Sequence, residues 1–306
     1  MNQVERYFSR LMFKTKIYES DKQSFEDLFV KVFQNYNPKF QAVKPQGRYG
    51  DRKNDGFDDS TGEYYQVYAP EDIQLKENEA NSKLEEDFNG LYEYWTTKGF
   101  IIKKYYFVVN DKYKGVYPTL FVKAKALGKE KDIECKILTC KNVEDIFLAL
   151  SDEKIIDIVG LLPDVLDIQG PEYDVMNEVI RFLLKIPIPK IAELIPEDVN
   201  FDKKIVFNSL SRAVSEYLNA GRRQNFAIKE YFELNSDFTK EELRQKFTGI
   251  YKEAQILIPE SETRNDEILQ FIIEKASPNS TLPIYNAVYV LIAYYFEYCD
   301  IFETPI

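Results

Sequence analysis

Apolar residues at Phe25, Leu28, Phe29, Val32 and Phe33 recur at intervals of three and four, which predicts an amphipathic helix entered at Ser24 and closed before Asn37-Pro38. The segments Phe40–Val43, Gly47–Gly56 and Glu63–Ala69 then alternate with turn residues and stop at Pro70, the pattern of short strands joined by tight turns. From Pro70 to Trp95 the residues Ile73, Ala80, Leu84, Phe88, Leu91 and Trp95 share one narrow arc at 100° per residue. That predicts a long helix, which Gly99 ends. Ile101–Asn110 and Thr119–Ala124 are rich in β-branched and aromatic residues and read as two further strands.

Beyond about residue 170 the strand signal fades. Pro171, Pro187, Pro189 and Pro196 punctuate a connecting region, followed by predicted helices over Lys203–Ala220 (stopped by Gly221), Thr239–Ala254, Asp266–Ala276 (stopped by Ser277-Pro278) and Ile284–Tyr298. Thr239-Lys240-Glu241-Glu242 has capping-box spacing. The expectation is therefore an α/β domain over 1–170 and an all-α domain over 171–306.

Charge sharpens this division. Residues 1–150 carry 24 basic and 24 acidic groups, whereas 151–306 carry 16 and 27, so the whole net charge of −11 belongs to the second half. Within the first half, an acidic centre at 51–100 (5 basic, 13 acidic) is flanked by basic segments at 1–50 and 101–150. Such an arrangement suits a metal-dependent site beside a polyanion, and also an ordinary solvated surface. The chain has no His, which excludes Ser-His-Asp and Cys-His relays and every imidazole-metal site. Its three Cys, Cys135, Cys140 and Cys299, neither complete a four-thiolate zinc site nor suggest a disulfide framework, so a reducing cytoplasm is expected. The opening MNQVERYFSRLMFK lacks a signal-peptide core. The longest apolar run, Ala287–Phe296, is far below the roughly 20 residues of a membrane span, and no membrane partner is expected.

The segment that concentrates chemistry is Gly47-Arg48-Tyr49-Gly50-Asp51-Arg52-Lys53-Asn54-Asp55-Gly56-Phe57, followed by Gly62-Glu63-Tyr64-Tyr65-Gln66-Val67-Tyr68-Ala69-Pro70. An exposed hairpin accounts for its Asn-Asp-Gly turn equally well. A calcium loop does not, because its third position is Lys53 and its twelfth is Gly62 instead of a bidentate Glu.

In residue order the segment resembles the restriction-endonuclease-like superfamily written PD-(D/E)XK, in its Mrr-like branch, whose pattern is Gly-x-Gly-Asp-x-Gly-x-Asp-Gly, a spacer, then Gln-x-Lys. The resemblance covers about 90 residues and implies a restriction-endonuclease-like fold, a mixed sheet flanked by helices. It also implies a Mg²⁺-dependent (or Mn²⁺-dependent) DNA endonuclease. Carried over by position, Asp55 and Gln66 match the metal-binding pair, Glu26 in Phe25-Glu26-Asp27-Leu28 matches the helical acid, and Asp51 matches the first Asp. Gln and the residue two further on point to one strand face. That residue, Lys in the pattern, is Tyr68 here. A phenol with pKa near 10 is a poor base at neutral pH. The compensating cation is then sought on the 70–95 helix, where Lys76 and Lys83 lie on one flank of the apolar stripe beside Asp87, or else these are solvated edge residues. Lys53 is a candidate for contacting phosphate.

Tyr64–Glu71, Asp87-Phe88-x-x-Leu91, Trp95, Lys204-Ile205-x-Phe207-Asn208-x-Leu210-Ser211 and Cys299–Glu303 further resemble the effector subunits of bacterial ABC-type three-component systems, among them the Lamassu anti-phage systems. That resemblance implies docking onto a middle subunit and an SMC-like ATPase, with release and homo-oligomerisation as the activating step. A catalytically inactive scaffold or DNA-binding subunit of the same kind of complex is the alternative. A third reading takes Lys203–Phe232, with Lys203, Lys204, Arg212, Arg222, Arg223 and Lys229, as a helix-turn-helix; the acidity of that half ranks it last.

Overall fold

In the computed structural model, residues 1–44, 52–71, 77–161, 164–165, 168–188, 200–235, 237–298 and 301–305 are described. The chain divides into two compact units, Lys16–Ile158 and the combination of Met1–Thr15 with Val159–Ile306, so the first residues group with the helical second half.

Lys16–Ile158 is built on five strands, β1 (Gln41–Ala42), β2 (Gly56–Asp58), β3 (Glu63–Tyr68), β4 (Lys104–Val109) and β5 (Glu134–Leu138), in that spatial order. β1, β2 and β3 pair antiparallel, whereas β3, β4 and β5 pair parallel. Parallel neighbours need crossovers, and α3 (Glu77–Thr97) and α4 (Pro118–Lys131) provide them. Alternation along β3 sends Tyr64, Gln66 and Tyr68 to one face and Tyr65 to the other. Tyr64 and Tyr68 join Leu84, Phe88, Leu91 and Trp95 of α3 in one core. Tyr65 instead meets the rings of Phe29 and Phe33 on α2 (Gln23–Tyr36) and of Phe40. Gly56 is obligatory here, since a Cβ would stand 2.1 Å from the Phe40 ring.

The predicted strand over Thr119–Ala124 is a helix, α4. Pro118 occupies its first turn, and Leu120, Ala124 and Leu127 are buried at helical spacing, so tertiary burial overrides the β-rich composition. β5 follows it, where no strand was expected. The N-terminal segment is likewise helical, α1 (Gln3–Glu19), and α5 (Cys140–Leu148) and α6 (Asp152–Val159) complete the first part of the chain.

Val159–Ile306 contributes α7 (Tyr173–Lys185), α8 (Phe201–Phe207), α9 (Arg212–Arg222), α10 (Asn225–Leu234), α11 (Asp237–Leu257), α12 (Arg264–Ala276) and α13 (Leu282–Glu297). α13 is apolar around its whole circumference and accordingly buried along nearly its full length, with α7, α9, α10, α11 and α12 against it. The single helix expected over Lys203–Ala220 is two. Ser209 takes a left-handed φ of 50° at the break, and the Ser211 hydroxyl caps α9 by accepting from Val214 N–H. Gly221, expected as a stop, lies inside α9, because a Cβ there would come within 2.5 Å of the Tyr289 carbonyl oxygen of α13. α11 begins at Asp237, which puts Thr239–Glu242 inside its first turns instead of at a cap. A buried polar seam runs through this unit: Tyr7 donates to Asp266, Asp266 also accepts from Ser211 N–H at 3.0 Å, and Lys14 pairs with Glu267 at 2.8 Å. Among the described residues no helix is long and apolar enough to cross a membrane.

Candidate functional site

The turn into β2 places Asp55. Its N–H donates to Tyr65 O (2.9 Å), its carbonyl accepts from Val43 N–H (3.1 Å), and its Oδ2 accepts from Val67 N–H at 2.6 Å. The buried carboxylate is thereby pinned to the β3 backbone immediately beside Gln66. Asn54, fully buried, supports the turn by accepting from Gly56 N–H. Arg52 and Lys53 precede it in left-handed conformation (φ 60° and 63°), a state that costs a non-glycine residue about 1–2 kcal/mol. At the far end of the hairpin Asp58 plays a structural part. Burial alone would raise its pKa, but Ser60, Asn37 and the backbone N–H groups of the turn hold it below the usual carboxylate range.

Gln66 projects to the α3 side of the sheet and is 6% exposed. Its Nε2 has only a long contact of 3.4 Å to Val67 O, and its Oε1 is buried with no hydrogen-bond partner among the described residues. Tyr68, two residues on, stacks on Phe107 and donates its hydroxyl to Glu79 at 3.1 Å. Burial and then Glu79 push its phenol up, so at neutral pH it is a hydrogen-bond donor, not a base.

α3 carries an ion-pair cluster. Lys83 donates to Asp87 Oδ1 at 2.9 Å, and Lys53, reaching from the β2 turn, meets the same oxygen at 3.0 Å and Glu86 at 2.6 Å. Burial acts against the Lys53 ammonium, but its bonds to Glu86 and Asp87 outweigh it and raise its pKa; Glu86 in turn is lowered by Lys53. The Tyr105 hydroxyl on β4 is fully buried. Its pKa is pushed well up by burial and, after that, by the charges of Asp87 and, more weakly, Asp55, so both carboxylates lie within electrostatic reach of one group.

The start of α2 reaches the same end of the sheet. Lys22 N–H donates to Ala69 O at 2.8 Å, just past β3, and Glu26 lies one turn further on. Asp51 and Lys76 lie outside the described residues. Among the described residues no three Cys, Asp or Glu side chains are grouped closely enough to hold a metal ion. Gln66 Oε1, an orphaned oxygen next to a pinned carboxylate, nevertheless fits an oxygen-preferring divalent cation.

Asp87, Glu79 and Tyr105 were not among the residues expected at the site from the sequence. The signal for Asp87 was present: it occupies the core spacing Leu84, Asp87, Phe88, Leu91 as a carboxylate inside an apolar stripe. In the helical half, some basic residues of the helix-turn-helix reading pair within the chain, Arg212 doing so at the surface. Lys204 is fully buried on Phe296 O, Arg222 pairs with Glu297, and Arg212 pairs with Glu216.

Residues 176–303 match the family model described as C-terminal domain 10 of the ABC-three component (ABC-3C) systems. The second half of the chain is thus similar to the C-terminal domain of a component that works with partner subunits. No curated protein and no solved structure matches the chain significantly.

Proposed function

We propose that the chain is a divalent-cation-dependent DNA endonuclease, the effector component of a three-component anti-phage system. The observation that carries this reading is the pairing of Asp55, locked by Val67 N–H to the strand bearing Gln66, with a buried Gln66 Oε1 that has no partner among the described residues. The order of helix, antiparallel strands, crossover helix and parallel strands agrees with a restriction-endonuclease-like fold.

Asp55 and Gln66 would hold the cation, with Glu26 at the same end of the sheet. Once bound, Mg²⁺ or Mn²⁺ lowers the pKa of a water and neutralises charge on the phosphate. The protein's own groups do the remainder. Asp55 is oriented by its backbone bond, Lys83 and Lys53 offer positive charge to the phosphate oxygens, and the wall of Tyr64, Tyr68 and Phe107 limits water on the core side. Hydrolysis joins a water oxygen to phosphorus and breaks one P–O ester bond; the water's proton goes to solvent and the departing oxygen takes one up.

The test is nicking and linearisation of plasmid by purified protein with Mg²⁺ against EDTA, comparing wild type with Asp55→Asn. Asn preserves an acceptor for Val67 N–H, so loss of cleavage reports lost metal binding instead of unfolding. Equal activity in both proteins removes this site.

The helical half, on this reading, docks a middle subunit and an SMC-like ATPase, and release into homo-oligomers switches cleavage on. Size measurement of the isolated protein matched to activity tests it: a strict monomer that cuts both strands at full rate, with or without partners, contradicts the model. A second reading, an inactive scaffold or DNA-binding subunit, is favoured by the Tyr68 phenol, and it predicts DNA binding with no metal-dependent cleavage at all.

A further inference from the structure

Two lysines from distant parts of the chain converge on one carboxylate oxygen. Lys53 leaves the strained turn before Asp55 and Lys83 leaves α3, and their ammonium groups stand 3.0 and 2.9 Å from Asp87 Oδ1. Asp87 itself has no exposed surface, while each lysine side chain keeps about a third of its own (34% and 35%). Two ammonium groups on one oxygen repel each other, and a buried carboxylate without cations is costly; each half of the arrangement is tolerable only because of the other.

Three features distinguish it from an ordinary helix-surface pair. Asp87 sits at a core position of α3, in the buried stripe with Leu84, Phe88 and Leu91, and its charge reaches the buried Tyr105 hydroxyl. Its Oδ2 is buried and has no hydrogen-bond partner among the described residues. The stem of Lys53 lies on α3 at Gly90, where a Cβ would come within 3.3 Å of Lys53 Cγ, so the helix leaves room for this side chain. Glu86, 67% exposed, holds Lys53 from the solvent side at 2.6 Å, where an incoming phosphate oxygen would replace it.

Resting on the nuclease reading, we propose that Asp87 is a positioning residue: it holds Lys53 and Lys83 as a paired cation on the Gln66 side of β3, and that pair engages the non-bridging oxygens of the scissile phosphate in place of the lysine absent at Tyr68. Glu86 is the placeholder that phosphate displaces.

The experiment uses the full chain. Asp87→Asn is isosteric and should fold as wild type, bind Mn²⁺ as wild type, and lose at least about thirty-fold in kcat. Lys53→Ala alone should cost about tenfold or more, yet less than about threefold when added to Asp87→Asn, because the two act as a unit. Glu86→Gln should lower KM for DNA several-fold at unchanged kcat. Acetylation footprinting, read by mass spectrometry and independent of cleavage, should show Lys53 and Lys83 labelling several-fold faster in Asp87→Asn. With an active wild type and an inactive Asp55→Asn, full cleavage by Asp87→Asn or an unchanged footprint overturns the clamp alone. Equal cleavage by wild type and Asp55→Asn overturns the nuclease reading beneath it.

Discussion

Two sets of buried polar groups in this protein are held in different ways. In the helical unit, Glu267 accepts from Lys14, Thr263 and Ser261, and Asp266 accepts from Tyr7 and Ser211 N–H. In the sheet unit, Gln66 Oε1, Asp87 Oδ2 and the Tyr105 hydroxyl are equally buried and have no hydrogen-bond partner among the described residues. Desolvating a polar atom without a partner costs about 1–3 kcal/mol, more when it is charged. The saturated set stabilises the fold. The unsaturated set carries a cost that a ligand can repay.

The largest expected effect tests that contrast directly. Asp55→Asn should lower metal-dependent cleavage by about a thousand-fold or more while the thermal midpoint holds or rises; plasmid kinetics and calorimetry on one preparation check both halves. Next comes its mirror image in the seam. Lys14→Met leaves Glu267 buried without its cation and should destabilise the protein by roughly 3–5 kcal/mol, measured by urea unfolding, without touching the candidate site chemistry. If it alters neither stability nor folding, the saturated set is not structural.

Asp58 supplies a smaller effect, resolved by pH. Its folded pKa is depressed, so its contribution is fully present above the unfolded value near 3.9 and is lost as pH falls through the folded one. Asp58→Asn should therefore cost about 1.5–3 kcal/mol at neutral pH, with the gap from wild type closing below about pH 4. A gap that persists unchanged into acid argues against the ionised carboxylate as its source. The smallest effect belongs to Tyr68→Phe, which removes one hydrogen bond to Glu79 and should cost about 0.5–1.5 kcal/mol in stability. Cleavage should stay within about threefold of wild type, whereas loss of a general base costs 10²–10⁴-fold. A drop of that size would make Tyr68 the active group and displace the lysine pair.

Much of this could be read before any coordinates. The period of Phe25 to Phe33 became α2, the helix expected over Pro70–Trp95 became α3 beginning at Glu77, and the β-rich runs Glu63–Ala69 and Ile101–Asn110 contain β3 and β4. Asp55 and Gln66 were named by the resemblance in residue order, and the hairpin places them side by side, with Asp55 accepting from Val67 N–H. Thr119–Ala124 went the other way, since its propensity was local but its burial was not. The break between α8 and α9 was hidden for a similar reason: it depends on Ser211 capping and on Asp266 receiving Ser211 N–H from 55 residues away in sequence.

What the chain determined by itself was α2, α3, β3 and β4, the exclusion of imidazole chemistry by the absence of His, and a tyrosine at position 68, where the resembled pattern has lysine. Only the tertiary structure decided that Lys53 and Lys83 meet on Asp87. Lys53 and Lys83 are separated by thirty residues, and nothing in either local sequence links them. They share an oxygen because α3 packs its apolar stripe on β3 and so carries Asp87 out of water. A carboxylate desolvated in that way requires cations from whatever part of the chain the fold brings within reach.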